Sequence, residues 1–181
     1  MVRLIFLSQR EKSVEVYKAA CILSKTKYLL KDFLKNYPKK EIDIKNFIRK
    51  WRPKESFILS EIERIYNPWK EGEILIGFFP KREIFWKLPE EDQKCHTFGL
   101  ENKAYIILFP TLERQGFSLK ILIHELFHAN DMLRKKFGKA ESKNHEWFEK
   151  KAQEIFRKAF PQNPCEGFKV GEGTTFVKVS S

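Results

Sequence analysis

The stretch HELFHAND at residues 124–131 puts His124 and His128 four positions apart, with Glu125 beside the first. On an α-helix that spacing stacks the two imidazoles one turn apart on a single face, where both can reach one ion. Glu125 then points to the side on which a metal-activated water would lie. Its carboxylate can take that water's proton and later return it to a leaving amine. The HExxH pattern divides the labour in this way in zinc peptidases. The chain holds only 4 histidines among 181 residues. At average residue usage an H-E-x-x-H in such a length arises by chance with odds on the order of one in a few hundred. A metal-binding pair is therefore a better reading than two unrelated helix histidines.

A catalytic zinc usually takes three protein ligands and keeps one position open. Asp131 shares the helical face, but it lies about 10 Å from His124 along the axis, too far to close on the same ion. It fits an outer partner of a ligand or a helix-end carboxylate. The third ligand is expected from the next helix, in ESKNHEWFEKKAQEIF (141–156). There His145 opens the helix, with Trp147 and Phe148 placed to anchor it. Glu146 and Glu149 are the carboxylate options, and the residues alone leave the choice open.

These side chains need a scaffold, and its elements can be read from apolar spacing and punctuation. VRLIFL (2–7) predicts a short strand. Apolar residues at helical spacing (Val14, Tyr17, Ala20 or Cys21, Leu29, Leu30, Phe33) predict one helix over 11–37, stopped by Pro38. Further helices are expected over 41–51 and 54–66. EILIGFF (73–79) and EIFWKL (83–88) read as strands of a hairpin or meander, and KAYIILF (103–109) as a third strand ended by Pro110. Ser118 can cap the motif helix, Gly138 can end it, and a last helix fits 144–160. The tail GFKVGEGTTFVKV either adds an edge strand or lies loose.

The whole predicts a single α+β domain: a helical N-terminal part (1–70), a core (71–160) with a small, mostly antiparallel sheet of three to four strands, and a tail (161–181). If strand 103–109 is the sheet edge over the cleft, it could hold a substrate backbone by strand addition. His96 and Tyr105 come nearest to an oxyanion partner, and each reads better as structural.

Composition bounds the classes. A hydrophobic content of 42% in 181 residues fits one globular domain. The three cysteines Cys21, Cys95 and Cys165 are far apart and form no CxxC, which argues against a disulfide framework or a cysteine zinc site and favours a reducing compartment. No window approaches the ~20 apolar residues of a membrane span, and the N-terminus lacks a cleavage signal. The expectation is a cytoplasmic protein with no membrane partner.

The formal charge of +11 is concentrated in KNYPKK (35–40), RKWRPK (49–54) and RKKFGK (134–139). Such patches attract phosphates, and Trp51 could stack on an unpaired base, preferably of single-stranded DNA. Solvated Lys- and Glu-rich helices are the plainer explanation. From a different class, the alternative to a peptidase is a basic nucleic-acid-binding protein with a structural metal or none. An open coordination position and turnover that depends on Glu125 separate the two.

HELFHAND, a basic stretch ending KKFG, and NHEWFEKKAQEIF resemble the zinc-peptidase core of the SprT-like group, over roughly residues 100–160. That group's pattern is HExxH, a variable spacer, and a third His opening an aromatic-bearing helix. The resemblance implies a zincin-like fold and a zinc-dependent peptidase, with Zn2+ on His124, His128 and His145, Glu125 as general base, and protein or peptide substrates. Because the group includes DNA-dependent proteases, it also implies DNA as a partner. Glu146 stands where the group usually has Gly, and Phe148 falls one position early. Glu149-Lys-Lys-Ala152 is similar to the E-x-x-A helix of gluzincins, including ImmA-like peptidases, in which Glu149 would be the third ligand. His145 is preferred, and either choice leaves a zinc peptidase. The oligomeric state is left open.

Overall fold

In the computed structural model, which describes residues 1–93, 96–111, 116–135, 137–139, 144–162, 168–170 and 176–178, the chain begins with β1 (Val2–Leu7), α1 (Arg10–Leu23), α2 (Leu30–Asn36) and α3 (Lys45–Trp51). It continues through α4 (Glu55–Ile65), β2 (Gly72–Phe78), the short α5 (Glu90–Gln93), β3 (Thr97–Leu100) and β4 (Lys103–Leu108). The motif helix α6 (Leu119–Lys135), β5 (Phe137–Lys139) and α7 (His145–Ala159) follow, and then a separate antiparallel ribbon of β6 (Phe168–Val170) and β7 (Phe176–Lys178). The fold is α+β around a five-stranded mixed sheet of order β1-β2-β4-β3-β5. The pairs β1–β2 and β2–β4 are parallel, and β3 runs antiparallel to β4 and to β5.

The parallel centre follows from the apolar runs. Ile74, Ile76 and Phe78 with Ala104, Ile106 and Leu108 face one core, shared with α3, α4, α6 and α7. Leu75, Tyr105 and Ile107 face a second core under α1 and α2. Strands covered on both faces read as continuous hydrophobic stretches rather than alternating ones, as EILIGF and AYIIL do.

This arrangement corrects several expectations. The sheet has five strands and is mixed, because β1 from the N-terminal part pairs with β2, and a parallel pair needs a long crossover, here α1 to α4. β4 is interior, paired with β2 on one side and β3 on the other, so it has no open edge for a substrate strand. EIFWKL is not a strand. Arg82–Phe85 forms a 3₁₀ turn that buries Ile84, Phe85 and Leu88 while Trp86 stays 57% exposed, and β2 already has a neighbour on each side. β3 and β5 were not anticipated, being four and three residues long with a glycine in each.

The helix expected over 11–37 is two helices. Lys25 adopts a left-handed conformation (φ 52°), with Thr26 N–H donating to Cys21 O and Lys25 N–H to Ile22 O. This is a Schellman stop made without glycine. Gly138 lies in β5, so α6 ends before it. No helix among the described residues is long and apolar enough to cross a membrane. Cys21 is buried in α1, and Cys95 and Cys165 lie outside the described residues.

One glycine sets how α6 meets the sheet. A Cβ on Gly99 would sit 2.8 Å from Met132 Cβ and 3.3 Å from its carbonyl oxygen, neither of which can swing aside. β3 and α6 therefore touch backbone to backbone at this point. Gly99→Ala should lower stability by about 1–3 kcal/mol, the usual range for overpacking, which thermal melting against wild type will read. An unchanged melting temperature would mean that the helix is not held this closely.

Candidate metal centre

The motif helix is buried on nearly every side, from Leu119 to Asn130. The Ser118 hydroxyl accepts from Ile121 N–H at 3.3 Å near its start. One face lies on the sheet, through Leu122, Ile123, Leu126 and Ala129 in the core it shares with β2 and β4. The histidines point to where α7 crosses. Asn144, in the left-handed region that Asn tolerates (φ 75°), turns the chain into α7. That helix buries Phe148, Ala152, Ile155, Phe156 and Ala159 along one stripe. Phe148 stacks on Phe127 at 5.1 Å and meets the edge of His128 at 4.9 Å. Ring contacts of this kind add about 0.5–1.5 kcal/mol each beyond burial. They hold the first turn of α7, and with it His145, against α6.

The outcome is a trio of imidazoles from two helices. His124, His128 and His145 each offer a ligand atom, all within 4.8 Å of one another. The two Nε2 atoms of His124 and His128 are 3.2 Å apart. Two nitrogens bound tetrahedrally at 2.0–2.1 Å would be separated by roughly 3.3 Å, so this pair already has the spacing of a zinc site. Burial lowers the pKa of His128 to about 4, despite the opposing pull of Glu125, which keeps the ring in the neutral form a metal requires. Three imidazole donors suit a metal such as Zn2+, with the His124–His128 pair at the spacing of two ligands and the trio gathered within 4.8 Å.

Glu125 is 7% exposed, and its Oε2 accepts a 2.6 Å hydrogen bond from the Thr97 hydroxyl on β3. Burial alone would raise its carboxyl. His124, His128 and His96 and the Thr97 bond outweigh that and hold it below the usual carboxylate range. Glu149 does not join the trio. Its Oε2 faces His124 Nδ1 at 3.4 Å, on the side of the ring away from His128, and its other oxygen is paired with the buried ammonium of Lys120. Burial raises Glu149, and the His124 and Lys120 contacts more than reverse this, to about 2. Glu146 is exposed at the start of α7.

The remaining candidates settle elsewhere. Asp131 accepts from the Tyr66 hydroxyl at 2.8 Å, and the Tyr66 ring packs edge-on against Phe148 at 5.0 Å. Asp131 thus ties α4 and α7 to α6. His96 Nδ1 lies 3.2 Å from Ile107 O and Nε2 lies 3.3 Å from an Arg82 guanidinium nitrogen, so the first carries the proton and the second accepts. Tyr105 belongs to the core on the opposite face of the sheet from α6. Trp51 is fully buried against Phe47 and Phe6, with its indole N–H on Glu55 at 2.9 Å, so it cannot stack on a base. In RKKFGK, Arg134 donates to Pro68 O and to Asn130, and Lys139 pairs with Asp92. Lys35, Lys39, Lys40, Arg49, Lys50 and Lys54 are exposed. Thr97 and Lys120 were missed from the sequence. Only Lys120 left a signal, lying one turn before His124 on the same stripe.

Comparison of the chain with protein-family models, with curated proteins and with solved structures gives no match.

The buried imidazole predicts an acid sensitivity of the metal-free fold. With a folded pKa near 4 against 6.5 in the unfolded chain, His128 contributes stability that is complete above pH 6.5 and is lost as pH falls toward 4. The maximum is about 3 kcal/mol. Denaturant melts of metal-free protein from pH 7 to 4.5 should show this decline, and His128→Gln should flatten it.

Proposed function

We propose that the protein is a zinc-dependent metallopeptidase of the SprT-like type, with a zincin-like fold. The reading is supported by one observation: a third histidine, from a different helix, brings a ring nitrogen within 4.8 Å of those of an HExxH pair whose glutamate is buried beside it. The α+β architecture, with the motif helix lying on a mixed sheet, is compatible with it.

His124, His128 and His145 would hold the ion and leave its remaining position to water and substrate. Bound there, zinc supplies Lewis acidity toward a water and toward the scissile carbonyl. Thr97 occupies Oε2 of Glu125, so Oε1 is the oxygen that accepts the proton and passes it to the departing amine. The Thr97 bond also fixes the carboxylate's rotamer, so this group needs no rearrangement before reaction. This seating of the carboxylate beside the imidazoles is what favours catalysis over a structural metal.

Purified protein is expected to carry about one zinc per chain. Glu125→Gln should keep the metal and lose peptide hydrolysis by several orders of magnitude, while His145→Ala should weaken zinc at least tenfold and abolish activity. Absence of zinc after reconstitution, or comparable turnover by Glu125→Gln, would remove the peptidase reading.

The substrates are proteins or peptides, including proteins bound to DNA, and the exposed lysines of 35–54 supply the attraction to phosphate. Retention on single-stranded DNA should be measurable at low salt, fall steeply by roughly 200 mM, and drop further in a Lys50→Glu/Lys54→Glu double variant. No retention at low salt would leave the charge as surface chemistry.

A further inference from the structure

We infer that Glu149 and Lys120 form a positioning relay for His124, so that the metal-facing lone pair of that ring is set before any ion arrives. The relay rests on the reading of the three histidines as ligands only for its effect on metal affinity. Its effect on the imidazole itself does not depend on that reading.

The observations lie along one line of side chains. Lys120 is only 4% exposed, and its ammonium pairs with one oxygen of Glu149. The other oxygen faces His124 Nδ1 at 3.4 Å. Both Nδ1 and that oxygen are buried, and neither has another hydrogen-bonding partner among the described residues. Two buried polar atoms left to each other are satisfied only if Nδ1 carries a hydrogen and donates it to the carboxylate. That assigns the His124 tautomer: Nδ1 protonated, Nε2 bare. Nε2 is the atom 3.2 Å from His128 Nε2, so the bare nitrogen is the one turned toward the other imidazoles. A neutral imidazole in water prefers the opposite tautomer, and the protein reverses it.

Lys120 has its own part in this. A buried carboxylate stays in place only with its charge compensated. The Lys120 ammonium supplies that compensation, so Glu149 is held as a carboxylate acceptor facing Nδ1. The relay also bridges α6 and α7. The ion pair that fixes the tautomer joins the helix of His124 to the helix of His145, one turn beyond His145 itself.

The test uses the full chain. In metal-free wild type, long-range ¹H–¹⁵N correlation of the imidazoles should show His124 as the Nδ1–H tautomer. Glu149→Ala should move it toward Nε2–H or a mixture, and Glu149→Gln, whose amide oxygen can still accept, should restore it. Zinc affinity, from competition with a chelator, should fall 10- to 100-fold in Glu149→Ala, less in Glu149→Gln, and measurably in Lys120→Met, with Lys120→Arg recovering most of the loss. Melting curves identify any variant that fails to fold, in which case the conservative variants carry the comparison. The inference is overturned if wild-type His124 is Nε2–H, or if Glu149→Ala changes neither tautomer nor affinity. It is also overturned if Glu149→Ala removes zinc binding altogether while His145→Ala leaves it intact, because Glu149 would then be a ligand. A wild type that takes up no zinc would sink the peptidase reading, and the tautomer measurement would still decide this one.

Discussion

Placing a carboxylate and two imidazoles inside the core is the constraint to which the surrounding structure answers. Each of these groups loses hydration when α6 is pressed between the sheet and α7, and none can remain there without a partner. Thr97 answers for Glu125, the Lys120–Glu149 pair for His124, and the Phe148 ring packs against His128. Breaking a buried pair by removing one member costs roughly 3–5 kcal/mol, comparable to a large part of a domain's net stability. The polar cluster is thus tolerable only while all of its members are in place.

The sheet makes that burial possible. Its parallel centre presents an unbroken apolar face to α6, and Gly99 lets β3 approach the helix closely enough for Thr97, two residues earlier on the same face, to reach Glu125. A side chain at position 99 would hold the helix off and stretch the hydrogen bond by which Thr97 orients the carboxylate. Packing and polar chemistry are therefore coupled through a residue that has no side chain.

What could be read in the sequence divides along physical lines. The HExxH pair was visible because four-residue spacing is local and the residue types are rare. His145 was visible because an aromatic pair follows it, and Phe148 does lock that turn down. Strands at 2–7, 73–79 and 103–109 and the helix at 54–66 stood out as long apolar runs or regular periodicity. The failures share a cause. Whether a run such as EIFWKL pairs depends on whether a sheet edge is vacant, and β2 had none. The stop at Lys25 used a lysine where the usual signal is glycine, and β3 was too short to show any period. Thr97 is an ordinary strand residue until α6 is laid over it. The burial of Trp51 likewise depends on packing around Phe6 and Phe47 that the basic letters beside it conceal.

The parallel pairing of Val2 with Gly72 also bears on the order in which the molecule assembles. A chain made from its N-terminus must complete α1 to α4 before β1 finds its neighbour, and loop closure over that separation is slow compared with forming a helix. The pair His124 and His128 exists as soon as α6 winds, but Thr97 and His145 reach it only when sheet and α7 close. An unfinished chain therefore carries two histidines without the seat for Glu125 or the third imidazole. Removing residues 1–70 as a dispensable module would turn β2 into an unpaired outer strand of the sheet, so a segment that offers no candidate ligand is one that cannot be cut away.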